Sequence, residues 1–167
     1  MGILRKLKQT YYRSIVLKKS KSVIGPLVVN HKLRVGCQLT LGSNVNFNGG
    51  SFEGAGEVSI GNNFYSGNNL RIMTANHDIH SKSLPYEEKV VIIKNVSIGD
   101  NVWIGDNVTL LPGTKLGDGC VIQYGSVVTG NIPELSIAGG HPAKVFAHRD
   151  ADHYHTIKKA MAEKNEP

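Results

Sequence analysis

An aliphatic side chain recurs at every sixth position through the second half of the chain: Ile92, Ile98, Ile104, Leu110, Leu116, Ile122 and Val128. Four residues after each stands a smaller or apolar companion: Val96, Val102, Val108, Thr114, Cys120, Ser126 and Ile132. The same phase runs earlier through Val23, Val29, Val35, Leu41 and Phe47, with Leu27, Leu33, Leu39, Val45 and Ser51 as companions. A shorter run joins Ile60 and Ile72 around Ser66, with Phe64 and Leu70 in the companion places. A helix cannot sustain this period, because six steps of about 100° carry the side chain to the far side. Short strands, each closed by a turn, can, and the Gly, Asn and Asp between the aliphatics suit the left-handed backbone of such turns. The period predicts an all-β solenoid with the repeating aliphatic inward and its companion flanking it.

Two departures from the period stand out. Between Met73 and Val91 the repeat is lost in a polar stretch containing His77 and His80, and a solenoid accommodates this as a loop, 73–91, thrown out from one corner. Loops on rigid scaffolds are where function concentrates. Between Gly49 and Gly56 the phase slips by one, either as a bulge that restores register or as a shaped pocket wall. The ends are different again. Residues 1–21 space Ile3, Leu4, Leu7, Tyr11 and Ile15 as a helix does, and residues after Asp150 suggest a short helix through Tyr154, Ile157 and Met161. The chain divides into an N-terminal basic helix (1–21), the solenoid (22–146) and a C-terminal helix and tail (147–167).

Charge sharpens this division. The formal net charge is +6, yet residues 1–21 hold seven bases and no acid, so the remainder is close to neutral at −1. That argues against a nucleic-acid-binding surface. The N-terminal helix either caps the open first coil or lies on anionic lipid, and the two are compatible. No apolar run reaches the roughly 18 residues of a membrane span or forms a secretory core, which points to a cytoplasmic protein, peripheral at the inner membrane face if the helix binds lipid. Cys37 and Cys120 are too few for a disulfide scaffold, and Cys120 sits in a packing position. Histidines three apart, with none between His31 and His77, do not form a zinc set, so no metal is expected.

The ordered string Ile98–Gly105 (IGDNVWIG), Pro112-Gly113, Gly125–Thr129 (GSVVT) and Gly139–Lys144 (GGHPAK) resembles the hexapeptide-repeat acyltransferases over residues 23–146. The likeness is to the acetyl-CoA-dependent O-acetyltransferases of galactosides, maltose, xenobiotics and bacterial polysaccharides. It implies a left-handed parallel β-helix with three hexads per coil, assembled as a homotrimer with active sites between neighbours. It makes His77 the general base, deprotonating a saccharide hydroxyl as that hydroxyl attacks the thioester, a task imidazole suits near neutral pH. Carried over by position, Asp106, Tyr124, Thr129, Gly130 and Lys144 would contact acetyl-CoA, with Lys144 suited to a phosphate and Arg149 beside it. The family often has a small residue where Asp106 stands and a lysine where Gly130 stands. Asn46-Phe47-Asn48 resembles the family's acceptor-binding stretch, so Asn46 would orient a sugar hydroxyl. Trp103, pointing away from the interior, would line the cleft or cap the core, and His80 would face the substrate or serve the loop. The same scaffold serves N-acetyltransferases of amino-sugars and antibiotic-acetylating enzymes, and a catalytically silent solenoid is the competing class.

Overall fold

The computed structural model describes residues 2–163, so the last four residues of the expected C-terminal tail lie outside it. Between helix α1 (Ile3–Lys19) and helix α2 (Ala151–Glu163), the chain winds as a three-faced parallel β-solenoid. The first face stacks six strands, from Ser20–Val23 to Asn131–Ile132. The second runs from Leu27–Val29 to Ser136–Gly140, and Ala143–His148 closes it as an antiparallel partner. The third has five strands, from Leu33–Val35 to Val127–Val128.

The hexad aliphatics from Leu41 to Val128 that sit in these strands are all buried, none more than 4% exposed. Their companions are buried just as deeply: Val96, Val108, Thr114, Cys120 and Ser126 are fully enclosed. The companion therefore points inward rather than flanking the core. It lies two residues before the next aliphatic, and residues two apart in a strand share a face. Thr114 and Ser126 survive there because their hydroxyls donate to turn carbonyls, Thr114 to Leu111 O at 2.8 Å and Ser126 to Gln123 O at 2.7 Å.

Three positions in the periodic reading need correction. Ile92 is not a solenoid residue: it lies 42% exposed in an antiparallel ribbon, Ala75–His77 against Val91–Ile93, which stands on the polar excursion. Ser51 is not a core companion. Phe52 takes the inward place, packed against Phe47 with ring centroids 5.5 Å apart, and Ser51 falls between Arg34 and Arg71 on the third face. A slip of one residue flips every side chain of a strand. Finally, the hexad after Val128 is two residues short, because Ile132 pairs with Leu116 and Ala138 with Ile122.

The corners explain the Asn and Gly between the aliphatics. Asn44, Asn63 and Asn101 adopt φ of 57°, 54° and 58° at the corner between first and second faces, and Asn69 and Asn107 both adopt 56° at the next corner. Their amides form ladders: Asn44 Nδ2 donates to Asn63 Oδ1 and Asn63 Nδ2 to Asn101 Oδ1, each at 3.0 Å, and Asn101 Nδ2 reaches the Tyr154 hydroxyl at 2.9 Å. The ladder thus ties α2 to the coils. At the Gly49–Gly56 slip, Gly50 has φ 145° and a Cβ there would run into the Leu70 carbonyl; the strand pairing through Gly50–Glu53 is unbroken, and Gly49 and Gly50 line a shallow pocket with His31 and Arg34.

Candidate active site

His77 ends the first strand of the ribbon that leaves the corner between third and first faces. A buried threonine hydroxyl and two backbone hydrogen bonds fix its root. Thr74 is fully buried, donates its hydroxyl to Glu53 O at 2.9 Å and accepts the Gly56 N–H at 3.1 Å. Lys94 N–H donates to Thr74 O, and Asp78 N–H to Val90 O, bracketing His77 between hydrogen-bonded pairs. Beyond it the loop is folded by its own side chains: Asp78 Oδ1 accepts the His80 N–H at 2.9 Å, and Ser81 Oγ accepts the Glu87 N–H at 2.7 Å. Tyr86 stacks on the His77 imidazole, with centroids 4.0 Å apart and planes 17° from parallel. His77 is exposed on its other side. It opens with His80 onto a cleft of about 300 Å³ whose far wall is Pro112 of the next coil and whose single cation is Lys94. The Tyr86 stack and the Lys94 contribution leave no trace in the period, since both depend on how the loop folds back.

Thr129 and Gly130 occupy the same corner two coils on, and both are exposed. Gly130 has φ 74°, and a Cβ there meets nothing within 4 Å, so this edge is open for a ligand to lie along. The remaining residues fall elsewhere. Trp103, 52% exposed, stands between Tyr65 and Val121 in the second face. With Asp106, Tyr124, Phe146 and Arg149 it lines a larger cleft of about 840 Å³. Lys144 is exposed in the closing strand opposite Gly139. The second face lies across the prism from the His77 corner, so one chain does not bring these two groups together.

Three of the expected contact residues have side-chain partners within the fold, among them Tyr124, whose hydroxyl accepts from Asn107 Nδ2 at 2.9 Å. The Asp106 carboxylate accepts the Asn68 N–H at 2.8 Å and the Asn68 amide at 3.1 Å, which hold it below the usual carboxylate range. Asn46 Oδ1 accepts from Asn30 Nδ2 at 3.2 Å, and Asn30 in turn accepts from Gln9 of α1 at 2.6 Å. Asn46 thus belongs to the network that seats α1. The two cysteines are buried and unpaired; burial pushes the Cys37 thiol up to about 11 and raises that of Cys120 as well. Neither is a thiolate near neutral pH. Among the described residues no three His, Cys, Asp or Glu side chains converge as a metal set, and no helix is long and apolar enough to cross a membrane.

Residues 95–130 match the family model described as bacterial transferase hexapeptide (six repeats). The galactoside O-acetyltransferase of Lactococcus lactis is 34% identical over 93 residues, covering 53% of this chain and 42% of that protein. The chain spans less than half the length of the first curated relatives it matches. Among solved structures, a maltose O-acetyltransferase from Clostridium difficile 630 superposes with TM-score 0.64 at 25% identity, covering 89% of this chain and 90% of that one. A galactoside acetyltransferase in complex with coenzyme A superposes with TM-score 0.69 at 22% identity, covering 92% and 86%. The chain is built on the solenoid of the hexapeptide-repeat acetyltransferases, and its residues 95–130 carry the bacterial transferase hexapeptide repeats.

Proposed function

We propose that the chain is an acetyl-CoA-dependent O-acetyltransferase that modifies a saccharide hydroxyl, with His77 as general base. The observation that carries this reading is an exposed imidazole at the hydrogen-bonded root of the ribbon that leaves the coil between third and first faces, stacked on Tyr86 and facing a cleft. A base held by a rigid element acts with better geometry than one at a loop tip. His77 Nε2 takes the proton of the acceptor hydroxyl as its oxygen attacks the acetyl carbonyl. The tetrahedral oxyanion then collapses, the C–S bond breaks, and the departing thiolate takes the proton from the imidazolium. No acyl-enzyme is needed, because the thioester is already activated and neither cysteine is available. Lys94 is the cation in this cleft and the candidate for offsetting charge on the oxyanion.

Coenzyme A would run along the open corner at Thr129 and Gly130. Trp103, Tyr124, Asp106 and Lys144 belong to the second face and its closing strand, so they would reach the same ligand from a neighbouring chain, with Lys144 meeting a phosphate. This separation supports a homotrimer with the His77 corner of one protomer against the second face of the next. Asp106 then serves by holding the Asn68 turn rather than by touching phosphate, since a carboxylate held ionised repels it.

Titration calorimetry with acetyl-CoA, followed by an acceptor screen that reads thiol release, tests the reading. Binding in the micromolar range and acceptor-dependent thiol release are expected. No binding at millimolar acetyl-CoA would overturn the assignment in favour of a silent solenoid. Sedimentation equilibrium at a three-chain mass is the expected outcome for the assembly.

A further inference from the structure

Helix α1 carries two apolar faces where an end cap needs only one. Tyr12 and Val16 seat it on the first coil, Val16 fully buried, and Gln9 on the same side donates to Asn30 at 2.6 Å. At about 100° per residue, Ile3, Leu4, Leu7 and Tyr11 form a second stripe roughly 150° round the helix from that seat. These four are 79%, 75%, 62% and 63% exposed, among the most open large apolar side chains in the protein. Lys6 and Lys8 flank the stripe on either side, while Arg5 and Arg13 project away from it.

The charge around this stripe is of one sign. Residues 1–21 hold seven bases and no acid, and only Lys21 is paired among the described residues, with Glu57 at 2.9 Å. A second copy docking through the same stripe would bring two such sets of bases together. An acidic surface would neutralise them. The near-neutral solenoid adds no opposing field at long range.

We propose that the N-terminal half of α1 lies in the headgroup boundary of an anionic lipid bilayer. Ile3, Leu4, Leu7 and Tyr11 enter the acyl edge, and the flanking Lys6 and Lys8 meet lipid phosphates and carboxylates, while Arg5 and Arg13 add to the positive field from farther off. Stable peripheral attachment of this kind takes two contributions, apolar insertion and a polybasic patch, and this half-helix supplies both. The docking is independent of the acetyl-transfer reading, because none of these residues lies in either cleft by His77 or Trp103.

Vesicle flotation with the whole chain is the test. The chain is expected to float with phosphatidylcholine vesicles containing about 30% phosphatidylglycerol, to stay unbound with pure phosphatidylcholine, and to be released by high salt. The pair Lys6→Ala and Lys8→Ala is expected to weaken binding roughly 10–30-fold, at about fivefold per base. The pair Leu4→Glu and Leu7→Glu should abolish flotation while leaving the unfolding midpoint and the assembly mass unchanged, because these side chains are open to solvent. Failure of the wild-type chain to float with anionic vesicles would overturn the proposal. So would undiminished flotation of the Leu4→Glu, Leu7→Glu chain, or a change in its assembly mass, which would assign the stripe to a second copy.

Discussion

Asn101 is where the physical reading of the corners can be measured most sharply. It sits at φ 58°, accepts from Asn63 at 3.0 Å and donates to the Tyr154 hydroxyl of α2 at 2.9 Å. Truncation to alanine or to glycine removes both bonds, about 1 kcal/mol each. Alanine keeps a Cβ in the left-handed region and costs a further 1–2 kcal/mol or so. Glycine adopts that backbone freely but widens the unfolded ensemble, adding about 0.4–1 kcal/mol. The sums are about 3.5 kcal/mol for Asn101→Ala and about 2.5 for Asn101→Gly. The order matters more than the sizes: within regular strands or helices glycine is the worse replacement, and here it should be the better one. Urea unfolding at fixed protein concentration gives both values. Tyr154→Phe, which removes only the hydroxyl, should cost about 1 kcal/mol alone and little more when combined with Asn101→Gly. Glycine proving as damaging as alanine, or additive costs in that pair, would refute the ladder.

Gly50→Ala should lower stability by about 3 kcal/mol or more, a fall in Tm of about 6–12 °C, because φ 145° and the Leu70 carbonyl leave no place for a methyl; a fall of a degree or two by calorimetry would show that this backbone yields easily. The Cys37 thiol stays protonated in the fold up to about 11, whereas in the unfolded chain it ionises near 9. Its contribution is therefore complete below pH 9 and is lost as pH rises to 11, by about 1–3 kcal/mol, and Cys37→Ala should flatten the fall in urea midpoint over that window. A native chain mixed with a chromogenic disulfide at neutral pH should react slowly at both cysteines and rapidly once unfolded, since both are buried.

Most of the solenoid is legible in the sequence because its rule is local: an aliphatic every sixth residue, and an Asn or Gly at the corner. The irregularity at Gly49–Gly56 shows as a phase slip for the same reason, but which residue then faces inward does not. Ser51 and Phe52 exchange places on a shift of one, and only packing against Phe47 decides it. Ile92 kept the period by coincidence, while the antiparallel pairing of Val91–Ile93 with Ala75–His77 took it out of the coil. The position of His77 at the root of the excursion is legible as the point where the repeat stops. Its stacking on Tyr86 is not, and neither are the ties of Asp106 to Asn68 and of Asn46 to Asn30. Those partners lie from 9 to 38 residues away and meet through loop folding or coil stacking, which no local pattern encodes.

His77→Ala, with kcat for thiol release and the Kd of acetyl-CoA determined on the same preparation, tests the central claim most directly. The account predicts a fall in kcat of about 10²–10⁴-fold with acetyl-CoA affinity changed by no more than about twofold. A variant that turns over at the wild-type rate would contradict it, as would one whose loss of rate is explained entirely by lost acetyl-CoA binding.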